Sequence, residues 1–158
     1  MKRSLAIILI FLLVIGVLTG CGPDQEKIQK DFFVILEQPA SEEAIKEASA
    51  YLDKYLPKLD EEYASQLVHE YEHYILGFDL EGIDYDDWIK KYEKYIDPVL
   101  NEFYQIMAQE QNSPMAEDAT LIISWEELLQ RTYQMEQFIK DNKDYKMISE
   151  DVSWIYGN

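Results

Sequence analysis

The chain has 158 residues, of which 31 are acidic and 14 are basic, so its net charge is −17 at pH 7 with neutral histidines. This balance argues against a nucleic-acid-binding protein, because such proteins gain affinity by neutralising phosphates with lysine and arginine. It also argues against a surface that lies flat on anionic lipid, and it favours basic proteins or divalent cations as partners. The length suits one domain with its own core.

The first 21 residues carry the pattern of an export signal. Lys2 and Arg3 precede an apolar run of 14 residues, LAIILIFLLVIGVL, which is shorter than the roughly 20 residues of a membrane span. The run ends in Leu18-Thr19-Gly20-Cys21, and this segment resembles the lipobox of bacterial lipoproteins. The resemblance implies that residues 1–20 are a signal peptide and that Cys21 carries a lipid. The protein would then be held at the extracytoplasmic face of the cell membrane.

Cleavage before Cys21 would change the charge of the protein. Residues 1–20 contain two of the basic residues and none of the acidic ones, so the mature chain would have a net charge of −19. Cys21 is the only cysteine, which leaves no disulfide within the domain. We expect residues 21–23 to form the lipidated cysteine with a short tether, and residues 24–158 to form a single helical domain.

Helical spacing of apolar residues dominates the remainder of the chain, and no segment shows sustained alternation. This pattern predicts an all-α bundle of five or six helices. N-cap residues predict five of the helix starts, and these are Asp24, Ser41, Asp60, Asp84 and Asp97.

Prolines and glycine predict where several helices end. Pro39 and Pro57 end the first two helices, and Gly77 ends the third. We expect the fourth helix to run from about Tyr85 to Ile96 and the fifth from Pro98 to about residue 111. The sixth is predicted to continue the apolar spacing of ATLIIS, residues 119–124, through to Ile139.

Two stretches of the chain resemble each other. DKYLPKLDE at residues 53–61 is similar to EKYIDPVLNE at residues 93–102, with one insertion. A duplicated helical hairpin would give this pattern. Repeated use of proline at helix starts would also give it, so the two explanations stay open.

Both histidines of the chain lie in His69-Glu70-Tyr71-Glu72-His73, which resembles the H-E-x-x-H motif of zincin metallopeptidases. The resemblance implies that His69 and His73 bind zinc from one helical face and that Glu70 is the general base. In the gluzincins a third ligand comes from a downstream E-x-x-x-D, which here would be Glu93, with Asp97 orienting a histidine. A small zinc metallopeptidase is therefore one functional alternative.

The helical wheel points away from this alternative. At about 100° per residue, the apolar residues of this helix form one broad stripe, and His69 and His73 point the opposite way with Ser65 and Gln66. That position predicts histidines on the solvated face of an amphipathic helix. Zincins also have an uncharged residue where this chain has Glu72.

A cluster of five carboxylates raises a second alternative, a divalent-cation-binding lipoprotein. Its members are Asp79, Glu81, Asp84, Asp86 and Asp87. Oxygen ligands at this density suit calcium, but the spacing is not that of an EF-hand. The cluster also has an explanation that needs no metal. Asp84 would cap the fourth helix, and Asp86 and Asp87 would lie at the positive end of its dipole.

These observations favour a non-catalytic binding or accessory module of the bacterial cell envelope, anchored through Cys21 and without a cofactor. The expected partner, besides the membrane that holds the lipid, is an envelope protein or wall component, and the acidity favours a basic one. No nucleic acid is expected.

Overall fold

The computed structural model describes residues 24–79 and 82–148. The predicted signal peptide, Cys21 and the tether lie outside these residues, as do Leu80, Glu81 and the last ten residues. The described residues form six α-helices, which confirms the predicted all-α bundle. They are α1 (Gln25–Leu36), α2 (Glu42–Tyr55), α3 (Glu61–Leu76), α4 (Tyr85–Tyr92), α5 (Pro98–Asn112) and α6 (Trp125–Asp141).

The five predicted N-caps all cap helices. Each side chain accepts a hydrogen bond from a backbone N–H in the first turn of its helix, and Asp97 accepts from both Val99 and Leu100. These bonds satisfy amide groups that have no partner within the helix. The start of α5 is further fixed by Pro98, whose missing N–H costs nothing at the first helical position.

Two predicted boundaries are wrong. Helix α4 ends at Tyr92 rather than Ile96, because residues 93–96 form a turn that brings the chain to the extended Asp97 cap. Helix α6 begins at Trp125, where Ser124 caps it, and the preceding residues form a two-stranded hairpin. Strand β1 (Ala116–Glu117) pairs antiparallel with β2 (Thr120–Leu121), so part of ATLIIS is a strand and not helix.

The core lies between the first three helices and the α4–α5 pair. A series of aromatic rings crosses it from Phe32 on α1 to Tyr71 on α3, Trp88 on α4 and Tyr104 on α5, with centroids 5.6 to 6.5 Å apart. Contacts of this kind stabilise a core beyond the area they bury. They join the two halves of the domain into one hydrophobic cluster.

The two similar stretches both connect consecutive helices. Lys54 lies over the ring of Tyr55 and Lys94 over the ring of Tyr95, each 4.7 Å from the ring centroid. The prolines differ, since Pro57 lies in the 3₁₀ turn after α2 whereas Pro98 is inside α5. The duplication stays a prediction.

The bundle has two distinct ends. At one, which we call the Gln25 end, the Gln25 side chain exchanges hydrogen bonds of 2.8 and 2.7 Å with Asp60 at the start of α3. At the other, the Asn112 end, the Asn112 amide donates to Asp86 at 2.8 Å. The 15 residues of α5 connect the two ends, a length of about 22 Å at 1.5 Å per residue.

Within residues 24–79 and 82–148, no helix combines the length and the apolar character of a membrane span.

Candidate functional site: an acidic groove beside the histidine pair

His69 is buried, and its ring has specific partners. Only 5% of its surface is exposed. Its Nε2 lies 2.8 Å from the carbonyl oxygen of Met147, and its Nδ1 lies 3.3 Å from a carboxylate oxygen of Glu72. The carbonyl can only accept, so Nε2 carries a proton and donates it.

The prediction that this face of α3 is solvated is therefore wrong for His69 and for Ser65. Ser65 is fully buried and accepts a hydrogen bond of 2.8 Å from the backbone N–H of Asp97. The segment 144–148 and the start of α5 both cover this face. A helical wheel assumes that one side of a helix is buried, and α3 is buried on two.

Glu72 is the most enclosed charged residue of the site, with 3% exposure. One of its oxygens faces His69 and the other accepts a hydrogen bond of 2.7 Å from the hydroxyl of Tyr85. A buried carboxylate is tolerated only when its oxygens have partners of this kind. Burial and the nearby Glu72 carboxylate also raise the pKa of Tyr104 well above its usual value.

The residues of the predicted zinc site are only partly brought together. His69 and His73 have ring centroids 4.5 Å apart, and Glu70 is exposed beside them. Glu93 instead lies at the end of α4 and is not among the described residues that line the groove around the histidines. Within the described ranges, no three or more His, Cys, Asp or Glu side chains are arranged to hold a metal ion.

Asp97 does not have the predicted orienting role either. One carboxylate oxygen caps α5, and the other accepts a hydrogen bond of 2.5 Å from the hydroxyl of Tyr145. Burial, followed by this bond, raises the pKa of Tyr145 far above its usual range. Tyr145 therefore stays a neutral donor and ties the C-terminal segment to the start of α5.

The carboxylates of the predicted calcium cluster are largely engaged in local structure. Asp84 caps α4, Asp86 accepts from Asn112, and Asp87 lies 3.6 Å from the ammonium group of Lys90. Glu81 lies outside the described residues. Asp84 is the N-cap that the sequence predicted, and Asp86 and Asp87 lie in the first turn of α4, at the positive end of its dipole.

An open groove of about 1450 Å³ extends from the Gln25 end along one side of α3, and the start of α5 and residues 144–147 also line it. We call it the acidic groove, because six carboxylates line it against a single lysine, Lys146. The carboxylates are Asp60, Glu61, Glu62, Glu70, Asp97 and Asp144. A concave surface of one charge raises the local concentration of the opposite charge, so the groove is suited to a cationic ligand.

The lining residues supply binding groups and few reactive ones. Among the described residues of the groove there is no serine, threonine or cysteine to act as a nucleophile. His73 and Glu70 are exposed on its wall. The lining also has apolar surface, which comes from Leu59, Pro98 and Val99. This surface can contact the aliphatic stems of lysine or arginine side chains.

Sequence reasoning missed much of this groove. Asp60 was recognised only as a cap, and Asp144, Lys146 and Met147 gave no periodic signal. They reach the groove because the chain turns back after α6. A turn of this kind depends on long-range packing, so local patterns do not reveal it.

No protein-family model, curated protein or solved structure matches the chain.

Proposed function

We propose that the chain is a lipid-anchored lipoprotein on the extracytoplasmic face of a bacterial membrane and acts as a non-catalytic binding module. Its acidic groove would receive a lysine- or arginine-rich segment of another envelope component. The observation that carries the proposal is the excess of six carboxylates over one lysine in a groove large enough for several side chains.

The position of the groove relative to Cys21 supports this proposal. Gln25 is four positions after Cys21, and an extended chain over those four steps reaches at most about 14 Å. Gln25 is hydrogen-bonded to Asp60, which is itself a groove residue. A lipid on Cys21 would therefore hold the groove close to the membrane surface, within reach of other envelope components.

The charge of the domain would keep the groove accessible there. Anionic headgroups repel a domain with a net charge of −19 over about a Debye length, roughly 8 Å at physiological salt. The domain would then stand off from the bilayer rather than lie on it. A basic partner would be attracted to the groove, and the attraction would weaken as salt rises.

The zinc metallopeptidase alternative has less support from the geometry. Zinc would need a ring nitrogen of His69, while Nε2 is bonded to Met147 and Nδ1 faces Glu72. Ligation would therefore require the C-terminal segment to move away. The divalent-cation alternative also has less support, since the described residues bring no three His, Cys, Asp or Glu side chains into an arrangement that would hold a metal ion.

The test is the affinity of the purified, lipidated chain in zwitterionic nanodiscs for an oligolysine peptide. Glu61→Gln/Glu62→Gln neutralises two groove carboxylates at the first turn of α3. Glu42→Gln/Glu43→Gln makes the same charge change at the first turn of α2, outside the groove. At about 0.5 to 1 kcal/mol per exposed ion pair, the groove variant should bind roughly five- to thirtyfold more weakly.

The control variant should bind nearly as tightly as the wild type, and binding should fall with salt in all three proteins. Equal losses in the two variants would show that only total charge matters and that the groove is not the site. Mass spectrometry of the native protein tests the anchor separately, since an unmodified Cys21 would contradict the localisation.

A further inference from the structure

Helix α6 exposes a continuous apolar stripe. Trp125, Leu129 and Tyr133 follow one another at four-residue spacing, and Ile122 precedes them in the chain. Their exposed fractions are 74% for Trp125, 68% for Leu129, 61% for Tyr133 and 51% for Ile122. We call these four residues the apolar stripe.

The stripe is unusual for a helix that packs on a core. Spacing of four residues places side chains on the same side of a helix, so Trp125, Leu129 and Tyr133 form one surface, and Ile122 lies three residues before Trp125, ahead of the helix. Phe138 is the only residue of α6 that is fully buried. Single exposed apolar residues are ordinary, but a contiguous group that includes tryptophan typically marks an interaction site.

A few side chains attach the helix that carries the stripe to the bundle. Arg131, on another side of α6, donates hydrogen bonds to the backbone and side chain of Ser113 and pairs with Glu110 and Glu127. These contacts fix the first half of α6 to the end of α5.

The surroundings of the stripe are acidic. Residues 110–136 contain six acidic residues and one basic residue, Arg131, which is paired as described above. The acidic residues that remain are Glu117, Asp118, Glu126 and Glu136, all exposed. Lys140 lies on the same side of α6, but beyond the last stripe residue.

The location of the stripe disfavours the membrane as its occupant. Arg131 and Ser113 place the start of α6 at the Asn112 end of the bundle, opposite to Gln25 and the groove. A lipid on Cys21 would thus hold the stripe on the side that faces away from the bilayer. A second copy of the chain is also disfavoured, because it would bring two acidic rims together.

We infer that the apolar stripe is a docking surface for a protein segment whose apolar face is flanked by lysine or arginine. Such a segment buries its apolar side chains on Trp125 and Leu129 and pairs its basic flanks with the acidic rim. This surface is distinct from the acidic groove, so the molecule has two binding surfaces at opposite ends.

The test uses two synthetic helical peptides of 18 residues with the same leucine face, one flanked by lysine and the other by glutamate. Both are titrated onto the lipidated chain in zwitterionic nanodiscs. The stripe variant is Trp125→Ser/Leu129→Ser. The control is Val34→Ser, because Val34 on α1 is an isolated apolar residue with a similar exposure of 60%.

All titrations are made in the Glu61→Gln/Glu62→Gln background, which removes most of the groove's affinity for lysine. The lysine-flanked peptide should bind more tightly than the glutamate-flanked one, and the stripe variant should bind it about tenfold or more weakly. The Val34→Ser control should be unchanged. Equal binding by the stripe variant and the control, or equal binding of the two peptides, would overturn the inference.

These results separate the two proposals. The groove is tested by the difference between Glu61→Gln/Glu62→Gln and Glu42→Gln/Glu43→Gln with oligolysine, which has no apolar face. The stripe is tested only by the peptides with a leucine face. A concentration-dependent dimer of the wild type that Leu129→Ser abolishes would show that the occupant is a second copy, and this also would overturn the inference.

Discussion

Glu72 determines how the histidine motif behaves, because its carboxylate is enclosed by His69, Tyr85 and the aromatic core. To bind zinc as the H-E-x-x-H motif does, both histidines would need a ring nitrogen that can coordinate the metal. Here the ring of His69 lies against the buried carboxylate of Glu72 and donates a hydrogen bond to the carbonyl of Met147 in the C-terminal segment. At the scale of single residues, the motif therefore contributes to the stability of the fold.

The two histidines should differ in their effect on stability. His69→Ala leaves Glu72 buried without one partner and frees the carbonyl of Met147, so we expect the free energy of unfolding to fall by about 2 to 4 kcal/mol. His73→Ala, at an exposed position, should change it by less than about 0.5 kcal/mol. Urea unfolding monitored by circular dichroism measures both. Small and equal effects would mean that the His69 contacts do not exist in solution.

Buried and half-buried tyrosines should make the fold sensitive to alkali. Burial raises the pKa of Tyr51 and Tyr71 to about 12, and their hydroxyls donate to the carbonyls of Ile28 and Ile45. The folded pKa lies above the unfolded value of 10.0. These groups therefore stabilise the fold fully below pH 10, and this contribution is lost as the pH rises from 10 to 12.

Absorbance at 295 nm and circular dichroism, followed together against pH, measure this effect. We expect Tyr51, Tyr71, Tyr104 and Tyr145, whose pKa values are raised, to ionise together with the loss of helix. Ionisation of all 12 tyrosines near pH 10 with the helices intact would contradict the packing described here.

At the scale of elements, local signals were sufficient for the first five helix starts. Each start depends on one side chain and the amides next to it, as at Ser41 and Asp97, so the sequence alone identifies it. The predicted start of α6 was wrong because a short hairpin, and not helix, precedes Trp125. Asp118 and Ala119 have φ of 47° and 60°, and alanine gives no sequence signal for a left-handed turn.

Burial was harder to predict than helices. The apolar spacing predicted the helix α6 but not which of its residues are exposed, and Trp125 and Leu129 are among them. Ser65 and His69 were expected in solvent, whereas they are covered. Both differences arise from where the C-terminal half of the chain packs, and local periodicity contains no information on that.

The hairpin offers a direct test of its turn. A two-residue turn with both residues in the left-handed region favours glycine at the second position, and Ala119 has a steric cost of about 1 to 2 kcal/mol there. Ala119→Gly should raise the free energy of unfolding by roughly 0.5 to 1 kcal/mol, after the entropy cost of glycine. Thermal unfolding measures the change, with Ala116→Gly in strand β1 as the control, which should be neutral or destabilising. A destabilising Ala119→Gly would argue against the turn.

At the scale of the whole molecule, the two proposed binding surfaces lie toward opposite ends of the bundle. The acidic groove lies at the end where the chain continues to Cys21, and the apolar stripe lies near the other. Composition gives the acidity of the molecule, because charge is additive along a sequence. It did not predict the groove, because Glu62, Asp97 and Asp144 meet only in the folded chain.

Photo-crosslinking in intact cells tests the central claim, that the groove binds a basic segment of an envelope partner. A photoreactive amino acid replaces Glu62 on the groove wall, and a matched one replaces Glu43 at the same helical position of α2. We predict that position 62 yields crosslinked peptides rich in lysine and arginine from membrane-associated proteins, that high salt reduces the yield, and that position 43 does not yield them. The same products from both positions, or products from position 62 that lack basic residues, would contradict the account.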